Sequence, residues 1–339
     1  MPVKSHTSRP LLPGIYGPLP TFFDDEQEID FVSYKRHLLR LARLGIVPVC
    51  MGSLGEASHL TPEERISIIR FIRATLDEEG MESRPIVAGV GGASTRESIR
   101  LARDASEAGA DAGMVILPAY YAASLNADPE QVIQYYVDIC AASPIPILLY
   151  NFPANSAGQD MSSDIIEEIM RRAPNLCGVK LTCPGSMSKL LRLKSALATD
   201  PTLTSSRSHS FPFLLLDGLI SDLIPWMSAG GHGTVSGIPN FAPSAGVRLL
   251  NLCQKPNKSV EEIEEMKMIQ DVLSRADVLA VPGGVRAMKY VLHRLHGYSL
   301  APRRPLLPLS AEEGEKVMMT FKPMLDLEAS LEKKMLKSL

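Results

Sequence analysis

Cysteine is sparse in this chain of 339 residues: Cys50, Cys140, Cys177, Cys183 and Cys253 stand far apart, and no two of them form a Cys-x-x-Cys pair. That excludes the zinc and redox motifs built on such pairs. An odd, scattered set among mostly apolar neighbours reads as free thiols in a reducing compartment. An excess of one charge is also lacking. Lys and Arg total 35 against 38 Asp and Glu, a formal charge of −3 with a pI near 6.2. Neither a nucleic-acid footprint nor a polybasic membrane patch is written there. No apolar run is long enough to span a bilayer, because the longest, residues 211–227, is broken by Asp217, Asp222 and Pro225. An apolar signal segment is missing too. Residues 1–11 are basic and free of acid, a faint likeness to a transit peptide, yet the fold is expected to begin right after them. The cytosol is therefore the expected compartment, with the mitochondrion second. Finally, no His/carboxylate set has metal-ligand spacing. His59, His209 and His232 fall near the loops predicted to line the barrel mouth and read as cap or loop residues, so no metal is expected.

What is present is an ordered, globular composition: 45% hydrophobic, 22% charged, mean hydropathy +0.05. A core of this size buries roughly three quarters of the unfolded surface without disulfide or metal staples. Short apolar runs alternate with amphipathic ones throughout. Strands are expected at Gly14–Tyr16, Val47–Met51, Pro85–Val90, Gly113–Leu117, Pro146–Tyr150, Cys177–Lys180, weakly between Leu203 and Leu216, and at Gly233–Ser236. Helices are expected at 31–44, 62–79, 94–108, 129–142, 162–172, 186–197, 219–229 and 242–253. The helix at 62 carries its start signals: Thr61 as cap, Pro62 first, then Glu63 and Glu64. Ile66, Ile69, Ile72 and Leu76 give it a core face. Helix 94–108 repeats the design with Ser94 as cap, Glu97 at the capping-box position, and Ile99, Ala102 and Ala105 inward.

The run Ile145-Pro146-Ile147-Leu148-Leu149 has no polar face, as in a parallel strand buried on both sides. One βα unit per roughly 30 residues, eight times over, predicts a (β/α)8 TIM barrel over residues 12–253. A doubly wound open sheet is the competitor, disfavoured by the strand count. Residues 256–339 show no strand signal. They read as a C-terminal helical extension with helices at 259–276, 283–296 and 311–337, split by Pro282-Gly283-Gly284 and by Ala301–Pro308. The basic stretch Lys333–Lys337 reads as a helix end facing water.

In such a barrel the active site lies at the C-terminal strand ends. The second strand ends in Met51-Gly52-Ser53-Leu54-Gly55-Glu56, whose glycines and free amides suit a carboxylate or phosphate. The third ends in Gly89-Val90-Gly91-Gly92-Ala93-Ser94. It half-imitates a dinucleotide fingerprint, but Ser94 replaces the third glycine and no acidic residue follows at the right distance, so close packing is the better reading. The fifth strand ends at Tyr150 and the sixth at Lys180, on strands ~4.8 Å apart if adjacent. A lysine closing a buried strand is rare unless it is paired or employed. In a water-poor site its charge is disfavoured, and the neutral amine can attack a ketone to form a Schiff base. Tyr150 could move the protons which that chemistry needs. A lysine snorkelling out of the strand end is the structural alternative.

These segments together resemble the dihydrodipicolinate synthase / N-acetylneuraminate lyase superfamily of class I pyruvate-dependent aldolases. The likeness covers about residues 12–325. It rests on Gly52-Ser53-Leu54-Gly55-Glu56, Pro118-Ala119-Tyr120-Tyr121, Tyr150-Asn151-Phe152-Pro153, Gly178-Val179-Lys180 and Gly233-Thr234-Val235-Ser236-Gly237, in that order. The resemblance implies Lys180 as Schiff-base lysine and Tyr150 as acid/base. It implies Ser53 as a proton relay towards Tyr121, a tyrosine that family members borrow from a neighbouring subunit, hence a homo-oligomer. Gly52, with the amides of Ser53 and Leu54, would hold the pyruvate carboxylate, and the Val235 carbonyl would face the same pocket. Neither metal nor cofactor is implied, because the protonated imine is itself the electron sink.

Two positions depart from the biosynthetic synthases. Leu54 stands where a second hydroxyl is usual, and Asn155 where an arginine receives the aldehyde's carboxylate. The segments around Asn155 and Lys180-Leu181-Thr182-Cys183 look more like the 4-hydroxy-2-oxoglutarate aldolases and the fungal-type 2-keto-3-deoxy sugar acid aldolases. Reversible cleavage of a hydroxylated 2-oxo acid to pyruvate and an aldehyde is the expected activity, with condensation of pyruvate and aspartate semialdehyde as its alternative. A non-catalytic barrel and a nicotinamide oxidoreductase built on the Gly89 loop are the readings from other classes.

Overall fold

The computed structural model describes residues 8–337 apart from 206, 210 and 211. Residues 1–7 of the basic opening segment and Phe211 of the apolar run lie outside the described residues. Eight parallel strands follow one another in chain order and close into a barrel. They are β1 (Gly14–Pro18), β2 (Val47–Cys50), β3 (Val87–Gly89), β4 (Ala112–Ile116), β5 (Ile147–Asn151), β6 (Leu176–Leu181), β7 (Leu214–Asp217) and β8 (Gly233–Val235). The helices are α1 (Phe31–Ala42), α2 (Pro62–Glu78), α3 (Thr95–Ala108), α4 (Ala122–Ala127), α5 (Pro129–Ala142), α6 (Ser163–Arg172), α7 (Ser186–Thr199), α8 (Thr202–Ser205), α9 (Leu223–Ser228), α10 (Pro243–Gln254), α11 (Val260–His296) and α12 (Ala311–Lys337). This is the (β/α)8 TIM barrel that the spacing predicts, followed by C-terminal helices.

The chain forms two compact units. One comprises the residues up to Pro13, Arg65–Gly218 and Ala229–His232. It carries β3 to β7, paired in parallel and in order. Every residue of β5 and β6 is buried, which is why neither shows an alternating pattern. The caps act as expected at α2, where Thr61 and Glu64, both of the other unit, bond each other's amides. At α3 Ser94 accepts from the Glu97 amide, while Glu97 reaches one residue further back, to Ala93. Two core positions differ from expectation. Ile66 and Ile99 are only half-buried, and Ile68, Ser98 and Leu101 take the inner places, because the true inward stripe lies a residue or two to one side. The weak seventh strand narrows to Leu214–Asp217, since Thr202–Ser205 turns helical. Helix α4 was not anticipated.

The other unit comprises Gly14–Glu64, Leu219–Ser228 and the residues from Gly233 on. Here β1 pairs with both β2 and β8. The helix expected at 219–229 starts only at Leu223. The amides of Ile220 and Ser221 instead go to Asp277 of α11, at 2.7 and 3.1 Å. Glu328 of α12 caps α10 in the same manner, accepting from the Ser244 and Ala245 amides at 2.9 Å each. The C-terminal helices are thus tied down by carboxylates on backbone donors. The break expected at Pro282-Gly283-Gly284 is there: Gly284 (φ 51°, ψ −142°) leaves helical geometry, so α11 is two helices joined across a kink.

Candidate active site

Strand register decides which side chains meet. Ile147 pairs with Leu176, but Leu148 pairs with Gly178, so β6 gains a residue against β5 at that point. An unbroken register would set Tyr150 opposite Val179 and turn Lys180 to the other face. With the step, Tyr150 pairs with Lys180, and the Lys180 ammonium lies 3.9 Å from the centre of the Tyr150 ring. Gly178 permits it: a Cβ there would stand 2.5 Å from the Leu214 carbonyl oxygen. Phe152 stacks on the other partner, its ring 5.7 Å from that of Tyr150 at 23°.

Lys180 is 5% exposed. Burial pulls its ammonium down to about 7, with the carboxylate of Asp217 acting in the opposite direction. In the sequence Asp217 stands out only as a break in an apolar run. It is a buried carboxylate (1% exposed) closing β7, with Leu181 as its register partner. An acidic residue ending a strand beside the lysine-bearing strand was the signal, hidden because β7 itself was weak.

Beyond β5 the chain is held by its own polar groups. Asn151 Nδ2 donates to Asp160 at 2.8 Å and to the Met161 carbonyl at 3.3 Å, and its Oδ1 accepts from the Met161 amide. Ser156 Oγ donates back to the Phe152 carbonyl at 2.9 Å. Gln159 Nε2 bonds the Pro118 carbonyl at 3.0 Å, which ties this loop to the segment after β4. Asn155 sits exposed in the middle. Lys189 pairs with Asp160 and donates to Cys183 Sγ at 3.4 Å. Tyr120 and Tyr121 form an edge-on pair (5.0 Å, 84°) and are 88% and 67% exposed, so Tyr121 points into solvent.

Ser53, Leu54, Gly52 and Val235 belong to the other unit. The loop after β2 is bracketed by two non-glycine residues in the left-handed region, Met51 and Glu56, each at φ 54°. Such residues cost about 1–3 kcal/mol each and persist where the surroundings over-determine them. The Gly55 and Glu56 amides bond the Gly52 and Ser53 carbonyls at 3.1 and 3.3 Å. The amides of Ser53 and Leu54 stay outside that loop's own bonds. Thr21 Oγ1 pins the Gly55 carbonyl at 2.8 Å. The Leu54 side chain lies along Gly237, its Cδ1 3.1 Å from where a Cβ would start, so leucine fills the place of a second hydroxyl with an apolar contact. Val235 is buried in β8 and pairs with Tyr16.

The histidine expectations need correction. His209 and His232 precede β7 and β8, at the N-terminal strand ends, and so do not belong to a C-terminal mouth. His232 Nδ1 accepts from the Leu215 amide at 3.0 Å. His59 alone follows a strand, β2, and bonds Glu56 at 3.0 Å. At the Gly89 loop a Cβ on Gly91 would meet Ile116 at 3.2 Å, which agrees with close packing.

Residues 11–324 match the family model of the dihydrodipicolinate synthetase family. A protein of Emericella nidulans named probable 4-hydroxy-2-oxoglutarate aldolase, mitochondrial, is 37% identical over 326 residues, 96% of this chain and 99% of that one. The L-threo-3-deoxy-hexylosonate aldolase of Aspergillus niger is 35% identical over 335 residues, 95% of this chain and 98% of its own. Among solved structures, YagE of Escherichia coli K12, a prophage protein in complex with pyruvate, superposes with a TM-score of 0.77 at 25% identity, covering 93% of this chain and 99% of that one. This chain belongs to the dihydrodipicolinate synthetase family.

Proposed function

We propose that this protein is a class I aldolase that cleaves a hydroxylated 2-oxo acid, of the 4-hydroxy-2-oxoglutarate or 2-keto-3-deoxy sugar acid kind, to pyruvate and an aldehyde. The observation that carries this is the buried Lys180 beside Tyr150, with its ammonium pulled down to about 7. The neutral Nζ attacks the C2 keto carbon, and the carbinolamine loses water to leave a protonated imine. Removal of the C4 hydroxyl proton then breaks the C3–C4 bond. The aldehyde departs, and the electron pair moves into the enamine. Protonation at C3 and hydrolysis release pyruvate and restore the amine. Tyr150 moves the protons, Ser53 relays them towards Tyr121 of a neighbouring copy, and the Ser53 and Leu54 amides with Gly52 hold the 2-oxo acid's carboxylate. Val235 offers its carbonyl, and Asn155 meets the hydroxylated end of the substrate.

The names of both curated relatives favour aldol cleavage over condensation with aspartate semialdehyde. Residues 12–253 form the catalytic barrel in this proposal and 256–339 its helical extension. The exposed Tyr120–Tyr121 pair supports a homo-oligomer. No helix among the described residues is long and apolar enough to cross a membrane. Free cysteines suit the reducing cytosol, while the name of the Emericella relative makes the mitochondrion the second compartment. Borohydride added with a panel of 2-oxo acids tests the reading by mass. An adduct of pyruvate mapped to Lys180 is expected, and its absence with every 2-oxo acid, or its location at Lys189 or Lys194, overturns it.

A further inference from the structure

The loop Met51–Glu56 keeps two non-glycine residues in the left-handed region, and something must hold it there. Its end residue, Glu56, is fully buried along its side chain, as is Lys289 of α11, and the two form an ion pair at 2.5 Å. Glu56 Oε2 also accepts from the Arg303 amide at 2.8 Å and bonds His59 Nδ1 at 3.0 Å. Lys289 donates as well to the Ala301 carbonyl at 2.9 Å. Arg303 forks onto Glu64 at 2.6 and 2.8 Å, and both cations lie over the Phe23 ring, at 4.3 and 4.4 Å from its centre.

Lys289 and Glu56 thus balance each other out of water, with Arg303 and Glu64 paired beside them at a partly exposed position. A buried pair of this kind is weak evidence for stability, because removing water from both charges offsets their attraction. What it supplies best is a unique geometry. That geometry belongs to one place, the C-terminal end of the loop that presents the Ser53 and Leu54 amides. Loop and pair lie in the same compact unit.

We propose that Glu56 and Lys289 are positioning residues for 2-oxo acid binding: helix α11, through this pair, holds the Met51–Glu56 loop in the shape that presents its amides to the substrate carboxylate. The inference rests on the aldolase reading. It gives the C-terminal helices a part in substrate affinity, although they contribute no residue to the chemistry.

The test is the pyruvate dependence of borohydride trapping at Lys180 in the full-length protein, compared between wild type, Lys289→Met, Glu56→Gln and Arg248→Met. The last breaks an ion pair with Glu265 elsewhere in the same unit and serves as control. Lys289→Met and Glu56→Gln should raise the half-saturating pyruvate concentration tenfold or more. The limiting trapping rate should stay within twofold of wild type, and the control should be unchanged. A merely structural role would lower the amount of competent protein, hence the limiting rate, and leave half-saturation alone, and that outcome overturns the proposal. So does wild-type half-saturation in a folded Lys289→Met. Should Lys289→Met not fold, Arg303→Lys keeps the charge but loses the fork on Glu64. A rise of about threefold is expected there, and wild-type half-saturation overturns the proposal. A wild-type protein that traps no 2-oxo acid removes the aldolase reading with it. Normal wild-type trapping beside an unaltered variant removes this inference alone.

Discussion

Lys180 and Tyr150 face each other because the register between β5 and β6 steps by one residue at Ile147, and the step leaves an ammonium 3.9 Å from the centre of a phenol ring. The ring shields the nitrogen from water on one side, and the barrel core shields it on others.

A lysine held near 7 is neutral in about half of the molecules at neutral pH, whereas an ordinary lysine is neutral in fewer than one in 10³. Because burial disfavours the charged form, reactivity rises with pH. The rate of imine trapping at low pyruvate should climb through a midpoint near pH 7 and level off above pH 8. A midpoint above pH 9 would mean that the amine is solvated. Lys180→Met should abolish the adduct altogether.

Tyr150→Phe should lower kcat by about 10²–10⁴, the usual contribution of a positioned acid/base group. The phenyl ring keeps the stacking on Phe152, so the melting temperature should barely move. Near-normal turnover would show that another group carries the proton.

At Asn155 the prediction concerns selectivity. A guanidinium grips a carboxylate bidentately, whereas an amide both donates and accepts and suits hydroxyls. With hydrogen bonds to charged partners worth about 1.5–3 kcal/mol, Asn155→Arg should raise kcat/KM for condensing aspartate semialdehyde with pyruvate tenfold or more. Cleavage of hydroxylated 2-oxo acids should fall. The two reactions measured side by side in both proteins decide it, and a wild type that prefers aspartate semialdehyde returns the synthase reading.

His37 governs part of the acid response. The amide nitrogen of Asn240 faces the carbonyls of Pro18 and Gly237, so its oxygen accepts from His37 Nε2 at 2.8 Å, and His37 is buried as the neutral ring. Burial pulls it down to about 3. The unfolded chain takes up this proton below about pH 6.5 and the folded chain does not. The stabilisation is therefore complete above that pH and is lost as pH falls towards 3, at up to about 1.4 kcal/mol per unit. Urea midpoints between pH 6.5 and 4.5 should fall more steeply in the wild type than in His37→Gln. Equal slopes would mean that the ring is already protonated when folded.

The barrel was legible because each strand is a short buried run between helices with clear caps, and Lys180 was legible because a cation closing such a run is rare. The residues that set the loop geometry were not. Lys289 sits in Ala287-Met288-Lys289-Tyr290-Val291-Leu292, the same kind of lone cation in an apolar run, but a helix hides a single buried position better than a strand end does. Its partner Glu56 lies far upstream, and no periodicity links them. Asp217 stayed hidden with its strand. The break at Gly284 was legible, because Pro282 and two glycines stand together inside a helical pattern.

The last ladder, between β1 and β8, has consequences for how the molecule is made. Gly14 pairs with Gly233, and no side chain fits there: a Cβ on Gly233 would stand 1.9 Å from the Gly14 carbonyl oxygen. The first strand to leave the ribosome thus waits for a partner some 220 residues behind it. At ~5–20 residues per second that is about 10–45 s, during which one edge of β1 stays open. The ring closes only once β8 has emerged, so until then the barrel strands form an open sheet with one edge of β1 unpaired.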